Sequence, residues 1–380
     1  MLIVRARLYP LEVPMGKPIK MAGETLTHAQ SLLLCLTDEQ GFEGWGEASS
    51  APLMTGETLS SLVASTEYLV SKMLGCELAG PEAIAPVLTK ILYANASAKS
   101  CVECALMDLF AQRAGLPLYQ LLAGDTRPAA PARLEMLHML ASGDLTGEIE
   151  EALALRKQGN RQWKIKVGLA DLATDVQRVN AICTELQGDV VSADANQSLS
   201  IAQAQAIARA GMSSGLSFLE QPYRVGMMQE MSDLHAQSGL ALCADESIQD
   251  IGDIEAHHSR HAAQGVSLKL IKLGGTQALV QAGRFCLSRG LKINLACKVA
   301  KTSISAAATA HAGFALGDVA WGFSMSNRYL AQDICAKPLA PVQGAITSDM
   351  VTQAGLGFAP ESARLVEFAS PSLRLREMRA

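Results

Sequence analysis

A chain of 380 residues, 49% hydrophobic and 18% charged, is long enough for one large barrel with an accessory domain or for two ordinary domains, and it is not compositionally disordered. Its formal net charge of -5 and its lack of a lysine or arginine block leave no electrostatic footprint for nucleic acid. The start alternates (Leu2, Val4, Ala6 and Leu8 against Arg5 and Arg7), unlike an apolar signal segment, and no apolar run approaches the ~18 to 20 residues that span a bilayer, so a cytoplasmic protein without a membrane partner is expected.

Residues 1–125 read as strands followed by helices. An alternating segment at 1–8 and a run at 31–37 precede the turn Gly41-Phe42-Glu43-Gly44, and helical periodicity follows over 59–74 and 96–114. Gly115 and Pro117 are the stop signals of that second helix. The nine cysteines are an odd, scattered count, and Cys101-x-x-Cys104 sits inside the helical pattern without a second pair, so the cysteines read as small core hydrophobes. An α+β unit is predicted, with a linker at 124–128.

From 126 to 355 short apolar runs alternate with helical windows of about ten to fifteen residues, the pattern of successive βαβ units and a parallel sheet. The candidate strands are 133–139, 163–167, 190–193, 216–219, 240–244, 266–271, 291–296 and 319–322. Eight strands suit a closed (β/α) barrel, and no GxGxxG follows any of them, which argues against a dinucleotide fold. Residues 356–380 are expected to pack back on the first unit.

Acidic residues close three consecutive strands: Asp194, Glu220 and Asp245, about 25 residues apart. A single acid there is readily explained as a helix N-cap. Three in succession instead place carboxylates side by side at the C-terminal face of a barrel, where a divalent cation would relieve their repulsion and where oxygen ligands suit Mg²⁺ or Mn²⁺. Lysines flank the acids. The alternation of Trp163-Lys164-Ile165-Lys166-Val167 puts Lys164 and Lys166 on one side of a strand, and Lys269 stands near another strand end, before a Gly274-Gly275 turn that could cradle an anion. Lysines in a dry site near a cation can serve as bases. His257, His258 and His261 fall in a polar helical stretch away from the strand ends and read as a solvated face.

Lys164-x-Lys166, Asp194-x-Asn196, Glu220-Gln221-Pro222, Ala244-Asp245-Glu246-Ser247 and Lys269-x-x-Lys272-x-Gly274-Gly275, in this order and spacing, resemble the enolase superfamily, muconate-lactonizing (muconate cycloisomerase) subgroup. Gly44-Trp45-Gly46-Glu47 resembles a motif of that group's capping domain, so the likeness covers nearly the whole chain. The resemblance implies a TIM-like (β/α) barrel with an N-terminal α+β capping domain. It also implies Mg²⁺ (Mn²⁺ as the substitute) on Asp194, Glu220 and Asp245, Lys166 and Lys269 as an opposed acid/base pair, and Lys164 near the substrate carboxylate. A lysine base acting beside bound Mg²⁺ is the superfamily's chemistry, and the resemblance implies it here. The substrate would be a small-molecule carboxylate that loses the proton α to its carboxylate as a metal-stabilised enediolate forms. Relatives are commonly homo-oligomers.

The half-reaction leaves the product open. Two opposed lysines suit a racemase or epimerase, one lysine suits a cycloisomerase, and a lyase (a hydroxy-acid or sugar-acid dehydratase, or an o-succinylbenzoate synthase) uses the same scaffold. A non-catalytic binding barrel would require idle acids. Two departures bear on the substrate. Dipeptide epimerases of the group usually carry Asp-x-Asp after the last strand, whereas this chain reads Trp321-Gly322-Phe323-Ser324-Met325-Ser326-Asn327. After the seventh strand many relatives carry a glutamate, whereas here Lys298 and Lys301 bracket Val299 and Ala300, and either would favour a second anionic group on the substrate. Substrate side chains would be gripped by capping loops at 15–28 and 49–58, with Met15, Met21, Leu53 and Met54 as apolar lining and Lys17, Lys20 and His28 as polar contacts.

Overall fold

The computed structural model describes residues 1–21, 24–124, 132–299 and 301–380; residues 125–128 of the expected linker and the side chains of Lys20 and Met21 lie outside the described residues. The chain opens with an antiparallel meander, β1 (Ile3–Met21), β2 (Glu24–Asp38) and β3 (Glu43–Ser49), in which Leu8 pairs with Leu34 and Leu34 with Gly46. Four helices follow: α1 (Leu59–Ser71), α2 (Ile84–Ile91), α3 (Ala96–Arg113) and α4 (Leu118–Ala123). Thr58 and Ser61 close a capping box at the head of α1, satisfying donors that a bare helix start leaves open. Buried residues occur on every side of α3, including Cys101 and Cys104, because the helix lies between the sheet and the second unit.

The second unit begins with β4 (Arg133–Glu135) and continues as β5 (Leu137–Leu140), α5 (Leu145–Lys157), β6 (Gln162–Lys166), α6 (Leu172–Glu185), β7 (Val190–Asp194), α7 (Ile201–Ser214), β8 (Phe218–Glu220), α8 (Met228–Ser238), β9 (Leu242–Ala244), α9 (Ile251–Ser259) and β10 (Gly265–Leu268). A single turn, α10 (Leu270–Leu273), then α11 (Thr276–Ser288), β11 (Lys292–Ala296), α12 (Ser303–Leu316) and β12 (Phe323–Ser324) complete it. Strands β5 to β12 are parallel and adjacent in chain order, and a Met136–Phe323 bridge joins the two edges, so the sheet curls into a barrel. Among the described residues no crossover helix follows β12; the chain instead makes a 3₁₀ turn (Asn327–Tyr329) and runs to β13 (Ala345–Thr347), a second 3₁₀ turn (Ser348–Val351), α13 (Ser362–Glu367) and β14 (Arg376–Arg379), which pairs antiparallel with β1.

The expected strands are present with shifted bounds. The apolar run 133–139 breaks at Met136, because β4 leaves the barrel to pair antiparallel with β13. The expected strand 266–271 ends at Leu268, after which the chain turns into α10, and the strand expected at 319–322 lies at Phe323–Ser324. The histidine reading needs correction at one position. His257 is buried, with Nδ1 2.8 Å from Asp253 O, while His261 is exposed. No helix among the described residues is long and apolar enough to cross a membrane.

Candidate active site

Strand register sets the site. Lys166 lies level with Asp194, and Asp194 with Glu220, at the C-terminal ends of β6, β7 and β8; Asp245 follows β9 directly. Alternation then sends Lys164 and Lys166 to the same interior side, one layer apart, and both are buried. At the acid row the backbone turns sharply, with Asn196, Gln197 and Gln221 at φ of 41°, 69° and 34°, the left-handed region that side chains other than glycine enter only under constraint. Lys269 caps α10, four strands around the barrel from β6 and therefore across it from Lys166.

Each acid meets an ammonium. Lys164 pairs with Glu220, Lys166 Nζ lies 2.5 Å from Asp194 Oδ2, and Lys269 Nζ lies 2.5 Å from Asp245 Oδ2. Lys272 Nζ lies 2.7 Å from the other oxygen of Asp245. Polar groups hold the acids in place: Asn196 N donates to Asp194 Oδ1 (3.0 Å), Ser267 Oγ to Glu220 Oε1 (2.8 Å), and Gln221 Oε1 accepts from Asp245 N (2.9 Å) and Ser247 Oγ (2.9 Å). Asn196 Oδ1 also accepts from Lys166 (2.5 Å), and its Nδ2 donates to Glu246 Oε1 (3.2 Å).

The charges follow from this packing. Burial alone would raise Asp194 and Asp245, but lysines outweigh it, Lys166 and Lys164 at Asp194 and Lys269 and Lys272 at Asp245, and hold both below the usual carboxylate range. Burial likewise pulls Lys164 and Lys269 down, yet Glu220 and Asp194 at the first and Asp245 and Glu246 at the second keep both ammoniums above their ordinary value. At Glu246 the pull of Lys269 is outweighed, and burial together with Asp245 and Asp194 pushes it up to about 7.

Asp194, Glu220, Asp245, Lys164, Lys166 and Lys269 line one cavity, and Met54 and Lys298 lie on its wall. Met54 Sδ is 3.8 Å from Lys269 Nζ, and Gln249 Nε2 ties the Met54 carbonyl to the turn after β9. Lys301 is not in the cavity. Only 1% exposed, it runs along the first turn of α12, where its Nζ donates to Ser305 Oγ (2.9 Å) beside Glu47, which removes it from the substrate-binding set. The Gly274-Gly275 turn does cradle an anion, but that anion is the protein's own Glu103, which accepts from Thr276 N (2.7 Å), Thr276 Oγ1 (2.9 Å) and Gln277 N (2.9 Å). The capping segments also divide. Leu53 and Met54 reach the wall, whereas residues 15–21 and 24–28 are hairpin arms in which Met15 is buried against Leu330 and Lys17 and His28 are exposed outside the cavity.

The motifs include Asn196, Glu246 and Lys272 without giving them a role. Asparagine two places after a strand-end acid is a turn signal, and two consecutive acids after an apolar run mark a strand end whose turn lets both face inward. Tyr329, from the 3₁₀ turn after β12, and Leu137 and Met139 of β5 complete the wall with no motif to mark them.

Among the described residues no three acidic, histidine or cysteine side chains form a ready-made cation shell, because lysines occupy the carboxylate edges. The donor set still fits a hard divalent cation. It is all oxygen, it sits on three adjacent strands around one cavity, and Glu220 Oε2 and Glu246 Oε2 are buried without a hydrogen bond, the former in ionic contact with Lys164 alone.

Comparison with known proteins gives a consistent result. A family model described as mandelate racemase / muconate lactonizing enzyme, N-terminal domain, matches residues 4–123, and one described as enolase C-terminal domain-like matches residues 148–364. The L-Ala-D/L-Glu epimerase of Bacillus subtilis (strain 168) is 30% identical over 319 residues, covering 82% of this chain and 84% of the relative. Muconate cycloisomerase 1 of Pseudomonas putida is 30% identical over 361 residues, covering 93% and 94%. The crystal structure of the muconate lactonizing enzyme from Pseudomonas fluorescens, complexed with muconolactone, superposes with a TM-score of 0.90 at 27% identity, covering 97% of this chain and 99% of that one.

Proposed function

We propose, because this chain belongs to the mandelate racemase/muconate lactonizing enzyme family of the enolase superfamily and is an enzyme of that type, that it isomerises a small carboxylic acid by moving the proton on the carbon next to the carboxylate. One observation carries the reading: Lys166 and Lys269 face each other across a cavity whose floor between them holds Asp194, Glu220 and Asp245. Two lysines on opposite sides of one carbon, one as the neutral amine that takes a proton and the other as the ammonium that gives one, allow removal from one face and return to the other.

Asp194, Glu220 and Asp245 would hold Mg²⁺ or Mn²⁺, which when bound supplies positive charge beside the substrate carboxylate as negative charge grows there. Lys164, deeper in the barrel than Lys166 and paired with Glu220, adds a fixed positive charge on the same side. Lys269, held against Asp245 on the side of the cavity opposite Lys166, is placed to give a proton when Lys166 takes one. Asn196 aims the Lys166 ammonium through its side-chain oxygen. The opposite wall, formed by Leu137, Met139, Val299, Ser324, Met325 and Tyr329, is apolar or hydroxyl-bearing, and Lys298 is the cation beside it. No carboxylate stands at Ser324-Met325-Ser326 to receive a substrate ammonium. The distal end of the substrate is therefore apolar or anionic, with Lys298 as the contact for a second negative group.

Incubating the Mg²⁺-loaded enzyme with N-acyl amino acids, muconates, dipeptides and acid sugars in D₂O, read by proton NMR, tests this. Deuterium should enter at the α-carbon of a turned-over acid, and Lys166→Ala or Lys269→Ala should slow interconversion by about 10²- to 10⁴-fold. Full turnover in both variants would remove the two-lysine mechanism, and a product lighter by one water would make the enzyme a lyase.

A further inference from the structure

Four lysines converge on the acids, but only three of them reach the cavity. Lys272 is 1% exposed and lies beneath Asp245, off the cavity wall. Its ammonium carries three N–H bonds and meets three acceptors: Asp245 Oδ1 at 2.7 Å, Asp245 O at 2.5 Å and Ser267 O at 2.9 Å. Every donor is spent on the ends of β9 and β10, and none is left for a substrate.

The local chain explains how two lysines come to share one carboxylate. In the single turn α10, Lys272 N donates to Lys269 O, and Gly274, at φ 93°, ends the turn in a conformation that disfavours a side chain. Three residues apart, Lys269 and Lys272 then grip Asp245 from two sides, Lys269 on Oδ2 from the cavity and Lys272 on Oδ1 from below. Ser267 extends the arrangement, since its carbonyl is held by Lys272 while its hydroxyl donates to Glu220.

We propose that Lys272 is a positioning residue: it clamps the Asp245 carboxylate and main chain to the β10 end, so that Asp245 and Glu220 present their cavity-side oxygens at a fixed spacing for a divalent cation. This rests on the reading that Asp194, Glu220 and Asp245 hold that cation. The sign of one measurement distinguishes a clamp from a mere charge. An ammonium touching a cation's ligand repels the cation, so a lysine acting through charge alone weakens binding, and its removal tightens it. A clamp does the opposite.

The test is Mn²⁺ titration calorimetry on the full-length protein, with circular dichroism to establish folding, for the wild type, Lys272→Met and Lys272→Gln. Methionine keeps the stem without a donor, and glutamine keeps donors without the charge. Lys272→Met should bind Mn²⁺ at least about tenfold more weakly, and Lys272→Gln should recover part of that loss, which a purely structural or purely electrostatic role would not produce. Unchanged or tighter Mn²⁺ binding in folded Lys272→Met, or binding in folded Lys272→Gln no better than in Lys272→Met, would overturn the proposal. A wild type that takes up no Mn²⁺ would instead overturn the cation reading, and the proposal with it.

Discussion

His311 shows how tightly a single protonation state can be specified. Tyr119 N donates to its Nδ1 (3.0 Å), so that nitrogen carries no proton, and Nε2 is left to donate to Leu356 O (3.1 Å). Burial holds this imidazole down to about 4 from an ordinary 6.5. A depressed pKa contributes stability that is present above pH 6.5 and lost as the pH falls toward 4, by an amount on the order of 3 kcal/mol. Asp108 accepts from the N–H of the same Leu356 (2.8 Å), and burial pushes it up from 3.8 to about 6, so its contribution runs the other way and is lost as the pH rises through that window. His311→Gln should be less stable at pH 7 by about 1 to 3 kcal/mol, and between pH 7 and pH 4.5 the difference from wild type should move in the variant's favour by about 2 to 3 kcal/mol, erasing or reversing that deficit in urea unfolding. A deficit that stays constant with pH would show that His311 is not held neutral. At this scale the convergence of Lys164, Lys166, Asp194 and Glu220 on one cavity was legible, because strand alternation fixes where they point. Lys301 was not. Its direction depends on where α12 begins and on a partner, Glu47, that approaches from the other end of the chain.

The contact between β3 and α3 is made backbone to backbone. A Cβ on Gly44 would come 2.2 Å from Ala105 O, and one on Gly46 would come 1.9 Å from Cys101 O, distances that no side-chain rotation can relieve. Gly46→Ala should therefore cost about 3 kcal/mol or more, seen as a fall in melting temperature with the barrel strands retained. Most elements were readable from apolar runs and their breaks. The division of 133–139 into β4 and β5 was not, because Met136 continues the apolar pattern and the cause of the break is pairing with β13 some two hundred positions later. The site turns were half legible: Gly274-Gly275 announces a tight turn but not that Glu103 fills it.

Buried carboxylates fasten the first unit to the barrel. Glu47 of β3 accepts from Thr302 N, Thr302 Oγ1 and Ser305 N at the head of α12, and Glu103 of α3 accepts from Thr276 and Gln277 at the head of α11. Each acid sits at the positive end of a helix, and each helix directly follows a segment of the cavity, the loop of Lys298 in one case and the turn of Lys269 and Lys272 in the other. Glu103→Ala strands the two buried donors of Thr276 and the half-buried N–H of Gln277 and should cost about 2 to 4 kcal/mol, with turnover falling alongside urea stability because the Lys269 turn loses its anchor. A variant with lower stability but unchanged turnover would separate fastening from chemistry.

The pairing of Arg5 with Arg379 has a further consequence for how the molecule is made. The outermost strand of the first sheet leaves the ribosome only after every strand of the barrel, so that sheet waits with an open edge throughout synthesis of the barrel. The unit that brings Leu53 and Met54 to the cavity wall is thus the last to be finished.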